Sequence, residues 1–323
     1  MYKFIGIDIS KQTFDVCFPS GKHQQYPNQK GGFQKFLKGV KKEDSVIVVM
    51  EASGPYYVRL ATFLYEEGMR VCVENPLKIK RFSQMNLNRA KTDKKDAQVI
   101  RDYGDKMGDQ LKRWAPDPKH IVELRQLNTS LSLLSKQIGQ TSRQLEAFQD
   151  GGHISKEVKK SLKSISAKLK REKEKLEKEM LSIAQDQYKD TLKSLTSIPG
   201  IGSKTAIMLI TLSSNFEKFE HYKQLVAYIG FSPRIYQSGT SVKGRGHICK
   251  MGNSQVRKLL YLCTWNAKFK NKACVQMYKR LKAKGKPERV IKVALANKLI
   301  KQCFAIGKNK TIYDENYVSK ICF

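Results

Sequence analysis

The strongest constraint on how this chain folds is a periodicity in its middle. Leu124, Leu127, Leu131, Leu134, Ile138, Thr141, Leu145 and Phe148 follow a strict 3,4 alternation. That spacing keeps one stripe on one side of an α-helix, either as a coiled-coil seam or as the contact face of a long antiparallel hairpin. DGGH at 150–153 interrupts it, and a second stripe follows at Ile154, Val158, Leu162, Ile165, Leu169 and Leu176. The second helix is basic, with ten Lys/Arg against four Glu between Lys156 and Lys178. It reads equally as a solvated face and as an arm lying along a polyanion backbone. A chain of 323 residues has room for about two further cores around such a segment. The expected organisation is an α/β domain at 1–110, a coiled-coil and basic helical segment at 115–190, and a helical domain at 191–323.

Charge narrows the partners. Sixty-one Lys+Arg against 29 Asp+Glu give a formal net charge of +32, and 40% of residues are hydrophobic. A folded chain with that excess, spread along its whole length, points to nucleic acid before membrane. Asp8 falls where a signal peptide would need its apolar region, and runs such as SVIVVM and AIMLITL fall short of the ~20 residues of a membrane span. Seven scattered cysteines make no disulfide framework and suit small buried side chains in a reducing cytoplasm. With no CxxC or HxxxH, a structural zinc site is not expected.

The first ~75 residues alternate strand and helix. FIGIDIS and FDVCF read as a hairpin around SKQT. GGFQKFLKGVKKE reads as a helix, SVIVVMEA as a buried central strand, YYVRLATFLYEEG as a helix ending at Gly68, and RVCVEN as a strand stopped by Pro76. The expectation is a mixed α/β sheet. On it, Asp8 lies near the end of the first strand and Glu51 directly follows the apolar run. Asp93 and Asp96 share a helix face, with Thr92 placed to N-cap the helix. Taken singly these are caps and surface charges. Three elements presenting acid at the edge of one apolar sheet would repel one another unless they share a cation. Hard ions such as Mg²⁺ suit all-oxygen ligands, and a pair of them can clamp both oxygens of a phosphodiester displacement.

Further on, LTSIPGIGSKTAIMLI matches a helix–hairpin–helix. Gly200 and Gly202 allow a tight turn, and the amides beside Lys204 are placed to meet a phosphate without reading sequence. A P-loop cannot be drawn there, because Lys204 follows Ser203 rather than a glycine.

IGIDISKQTFDV, MEASGPYY, ENPLKIKRF and NRAKTDKKDAQVIRDY together resemble the RuvC-like DEDD domain of the insertion sequence 110 family of bacterial transposases and recombinases. The resemblance covers most of the first ~105 residues. It implies an RNase H/RuvC-like sheet with Asp8, Glu51, Asp93 and Asp96 as the Mg²⁺-binding tetrad, and the Arg89–Lys91 and Lys94–Lys95 charges beside a phosphate. LVAYIGFSPRIYQSGTSVKGRGHICKMGNSQVRKLLYLCTWNA resembles the same family's C-terminal domain, through G-F-S-P, S-G, K-x-G-N and R-x-L-L. That resemblance implies Ser238 as a nucleophile on DNA, with Lys243, Arg245, Lys250 and Arg257 supplying cations. Thr240 stands where the family has a further glycine, so Ser241 remains its competitor. The family also implies donor and target DNA, a structured bridge RNA pairing with both, and a dimeric or tetrameric homo-oligomer whose active sites combine two subunits. Two other readings stay open: a metal-dependent junction nuclease using only the four carboxylates, and a non-catalytic nucleic-acid-binding protein.

Overall fold

A computed structural model of the chain describes residues 2–40, 45–86, 92–238, 242–244 and 246–317, in two compact units, 1–117 and 118–323. Unit one is built on five strands: β1 (Lys3–Ile9), β2 (Thr13–Cys17), β3 (His23–Pro27), β4 (Val46–Glu51) and β5 (Arg70–Glu74). Their order is β3-β2-β1-β4-β5. The first three form an antiparallel meander, while β4 and β5 run parallel to β1. The apolar run at 46–51 therefore lies beside the centre of the sheet, and β1 is the central strand.

Period-two alternation divides the two faces. Ile5, Ile7 and Ile9 point with Phe14, Val48 and Met50 into a core closed by α1 (Lys30–Gly39) and α2 (Tyr57–Glu66). Phe4, Ile47, Val49 and Cys72 point the other way, under α3 (Pro76–Met85) and α4 (Asp93–Met107). Pro76 opens α3 instead of only stopping the strand. Proline loses nothing at the first helical position, and the Asn75 side chain accepts the Leu77 amide at 2.8 Å. Thr92 caps α4 by accepting the Lys95 amide at 3.3 Å.

Unit two opens with the two long helices, α5 (Lys119–Asp150) and α6 (Lys156–Thr196), which pack along one another. Ile121, Leu124, Leu131, Met180 and Ala184 at their near ends belong to the same core as Leu195, Leu209, Leu260 and Leu299. Toward the tip the stripe emerges into solvent, and Phe148 is exposed. The remaining helices are α7 (Ser203–Ser213), α8 (Tyr222–Ile229), α9 (Ser254–Lys270), α10 (Lys272–Ala283) and α11 (Glu288–Asn309). Between α8 and α9 the chain runs out along β6 (Pro233–Arg234) and β7 (Gln237–Ser238) and returns along β8 (Val242–Lys243) and β9 (His247–Ile248). Among the described residues no helix is long and apolar enough to cross a membrane, and the six described cysteines are free.

Candidate active site

Glycine assembles the first part of the site. Gly6 stands mid-strand in β1, where a side chain is normally an asset. A Cβ there would overlap the Ala97 carbonyl and the Arg101 amide of α4. Farther along the same helix, the Phe4 ring occupies the space a side chain on Gly104 would need. The α4 backbone therefore lies directly on the face of β1 that carries Phe4, Gly6 and Asp8, which sets its N-terminal turn, with Asp93 and Asp96, against Asp8. Glu51 arrives from β4, because Ile7 pairs with Met50 and the next residue on each strand is a carboxylate. The Ser53 hydroxyl donates to Glu51 Oε1 at 2.7 Å.

The electrostatics report the same convergence. Asp8 is pushed up from 3.8 to about 6, first by burial and then by the charges of Asp96, Glu51 and Asp93. Three other carboxylates thus act on one half-buried carboxyl. Among the described residues no three His, Cys, Asp or Glu side chains close on a common point at ligating distance. The donor set itself is all carboxylate oxygen, partly desolvated, and fits a hard divalent ion. Lys94 and Lys95 are exposed on the same turn, while Arg89 to Lys91 lie outside the described residues.

Two further carboxylates face this side and were passed over in the sequence. Asp15 is the register partner of Asp8 across the β1–β2 hairpin. It is buried and held by His23 Nε2 at 2.8 Å and Gln25 Nε2 at 3.0 Å. Glu74 is the partner of Glu51 on β5, buried and bound by Lys78 Nζ at 2.8 Å. Alternation within TFDVCF and RVCVE carries their facing, but recognising them needs the pairing register. Both are satisfied by a neighbouring side chain, which separates them chemically from Asp8.

In unit two the backbone places Ser238 in the outermost described pair of the arm. The ladder runs Pro233–Ile248, Arg234–His247, Gln237–Lys243 and Ser238–Val242, with the Gly244 amide donating to Tyr236 O at 3.0 Å. Ser241 and Arg245 lie outside the described residues. At the base of the arm Lys250 is exposed, and its amide donates to Gly230 O at 3.1 Å. Arg257 turns inward, its guanidinium donating to Ile229 O at 2.7 Å at the end of α8.

The α6–turn–α7 segment carries the two glycines. Gly200 has φ of 101°, and a Cβ on it would crowd Ala267 and the Cys263 carbonyl of α9. Its small size is demanded by packing inside the domain. Gly202 is exposed with open space around it, although its backbone and the Thr205 hydroxyl hydrogen-bond Cys263. Lys204 is exposed and 3.6 Å from Glu177 Oε1.

A mixed sheet in this order, with acids at the ends of two adjacent strands and on the helix crossing them, is consistent with a DEDD, RuvC-like domain. Comparison with known families agrees: residues 5–153 match the transposase DEDD domain of the IS110 type, and residues 192–279 match the transposase domain of the IS116/IS110/IS902 family. The chain carries both domains of the IS110-family transposases and has that family's transposase/recombinase function. Pilin gene-inverting proteins of Moraxella lacunata and Moraxella bovis are each 26% identical over 320 residues, covering 97% of this chain and 98% of theirs. The transposase for IS1111A of Coxiella burnetii is 25% identical over 80% of this chain and 76% of its own.

Proposed function

We propose that this protein recombines DNA by breaking a phosphodiester with Ser238 and rejoining it to a second strand, with Asp8, Glu51, Asp93 and Asp96 holding Mg²⁺. The observation that carries the reading is the grouping of three carboxylates, Glu51, Asp93 and Asp96, around Asp8 in a chain that also has the second transposase domain. A hard divalent ion bound by the tetrad supplies charge neutralisation at the phosphate oxygens. The Ser238 Oγ attacks phosphorus and gives its proton to a base. One deoxyribose oxygen leaves and is protonated, and a phosphoserine ester replaces the original ester. A hydroxyl from another strand then attacks that ester and releases Ser238. One ester replaces another at each step, so rejoining needs no ATP. Lys243, Arg245 and Lys250 neutralise the phosphate near the arm. Gly202 and Lys204 meet the DNA backbone as a helix–hairpin–helix, and Gly200 serves them through its seat against α9.

The names of the Moraxella relatives suit this chemistry, since inverting a gene segment requires exchange at both its ends. Target and donor choice rests with a structured bridge RNA whose loops pair with each DNA, and the working unit is a dimer or tetramer with sites shared between subunits. Purification from cells carrying the native flanking DNA yields one discrete RNA that maps beside the gene. Heterogeneous RNA, or none, removes the guide. With the cognate DNA, denaturing gels show a covalent protein–DNA adduct that is lost in Ser238→Ala and kept in Ser241→Ala. An adduct retained in Ser238→Ala removes this nucleophile. Hydrolysed ends with no adduct in the unaltered protein indicate a metal-dependent junction nuclease instead.

A further inference from the structure

Within unit two, α9 has a second apolar face. Val256, Leu260, Thr264 and Ala267 are buried in the domain core. Leu262, Trp265 and Phe269 recur at 3,4 spacing on another side, and they are 51%, 55% and 75% exposed. A large aromatic pair is costly to leave in water. Here the rings are interleaved with cations. Lys292 Nζ stands 3.7 Å from the Trp265 ring centroid, and Lys268 Nζ lies 4.9 Å from Phe269 and 5.3 Å from Tyr278. Beside them is a cleft of about 480 Å³ between α9 and α10, lined by Phe269, Val275, Tyr278, Lys279 and Lys282.

Charge selects the occupant. Between Lys268 and Lys292 there are ten Lys/Arg and a single acid, Glu288. Glu288 is already engaged by the Tyr278 hydroxyl at 2.8 Å and by Lys268 at 3.3 Å. A second copy of the same face would bring like charge against like charge. A folded duplex offers phosphates but keeps its bases stacked and out of reach of the rings. A strand with unpaired bases satisfies both features, since its phosphates meet the lysines while its bases cover the aromatic faces without regard to sequence.

We propose that the face formed by Trp265, Phe269 and Tyr278, with Lys279 and Lys282, is a stacking platform for an unpaired nucleic-acid strand. This rests on the reading of the chain as a nucleic-acid recombinase and adds a single-strand site made of residues other than Ser238 and the four carboxylates. Strand exchange necessarily passes through unpaired nucleotides, and the platform holds them.

The chain contains two tryptophans, Trp114 and Trp265, so in a Trp114→Phe protein Trp265 alone reports by fluorescence. Titration with an oligothymidylate of about 12 nucleotides quenches that emission, and Phe269→Ala weakens the affinity roughly tenfold while Phe269→Tyr retains it. Binding of a blunt duplex is the same in all three. Unchanged oligothymidylate affinity in Phe269→Ala overturns the platform, and so does a change of oligomeric state in that variant with affinity preserved, which marks a protein interface. If the unaltered chain binds duplex but not the oligothymidylate, this inference alone fails. If it binds neither, the recombinase reading fails with it.

Discussion

The carboxylate patch and the serine arm solve opposite mechanical problems. The patch gathers like charges, so each acid is anchored to an element that cannot yield. Asp8 and Glu51 end adjacent strands of one sheet, and Asp93 and Asp96 open a helix whose backbone lies against Gly6. The serine is carried by two-residue ladders reaching out from the α8–α9 junction, flanked by the exposed Ile235 and Tyr236. Groups that must be held together against repulsion are built into a core. The arm, by contrast, is braced at its base. The brace is visible: Arg257 bonds the last turn of α8, and the Lys250 and Cys249 amides donate to Gly230 O and Ser232 O.

The sharpest way to break the contrast is Gly6→Val. The branched side chain meets backbone rather than a flexible side chain, so α4 must move as a body and carry Asp93 and Asp96 away from Asp8. The expected loss is about 3 kcal/mol of stability or more in unit one, with no adduct formed on DNA. Near-wild-type melting and activity would show that α4 does not need its seat on β1. Arg257 tests the other region. Arg257→Met leaves the Ile229 carbonyl short of its donor and costs about 1–2 kcal/mol, read as a fall in melting temperature with adduct formation reduced. A direct phosphate contact gives the contrary signature: unchanged melting, with weaker DNA binding and a salt slope shallower by about one.

Legibility in the sequence follows the same division. The 3,4 stripe at Leu124–Phe148 and the alternation in FIGIDIS are long enough to repeat, so helix and strand are readable where they occur. The tetrad is readable because each acid directly follows or opens such a pattern. β3 is not, since HQQYP is an edge strand with a single buried residue, Tyr26, and leaves no apolar rhythm. Nor is the arm, because two-residue ladders have no period. Asp15 and Glu74 share the face of Asp8 only through pairing register, a property of two strands together. Gly200 reads as a DNA-approach glycine from its motif, yet its tight neighbours are Cys263 and Ala267 of α9, far away in sequence and adjacent only after folding. That the long helices share a core with the C-terminal helices is likewise invisible to a pattern confined to one helix.

The third effect concerns Asp8 and has the opposite sign to the other two. Its carboxyl is pushed up to about 6 by burial and by Asp96, Glu51 and Asp93, against an ordinary 3.8. The folded chain therefore binds this proton more tightly than the unfolded chain. Its contribution to stability is fully present below pH ~4 and is lost as the pH rises through about 6. In chelator at pH 7, Asp8→Asn removes a buried like charge and, after allowance for partial exposure, stabilises unit one by about 1–2 kcal/mol, while abolishing recombination. Urea melts between pH 4 and 7 show the gap between variant and parent opening as the pH rises. A gap that stays constant with pH, or a destabilised variant, would mean that the three neighbouring acids do not press on Asp8. The contrast between core and arm then sharpens into one of energy as well as place: the packed region holds charge at a cost to its own stability, while removing the brace of the arm costs stability.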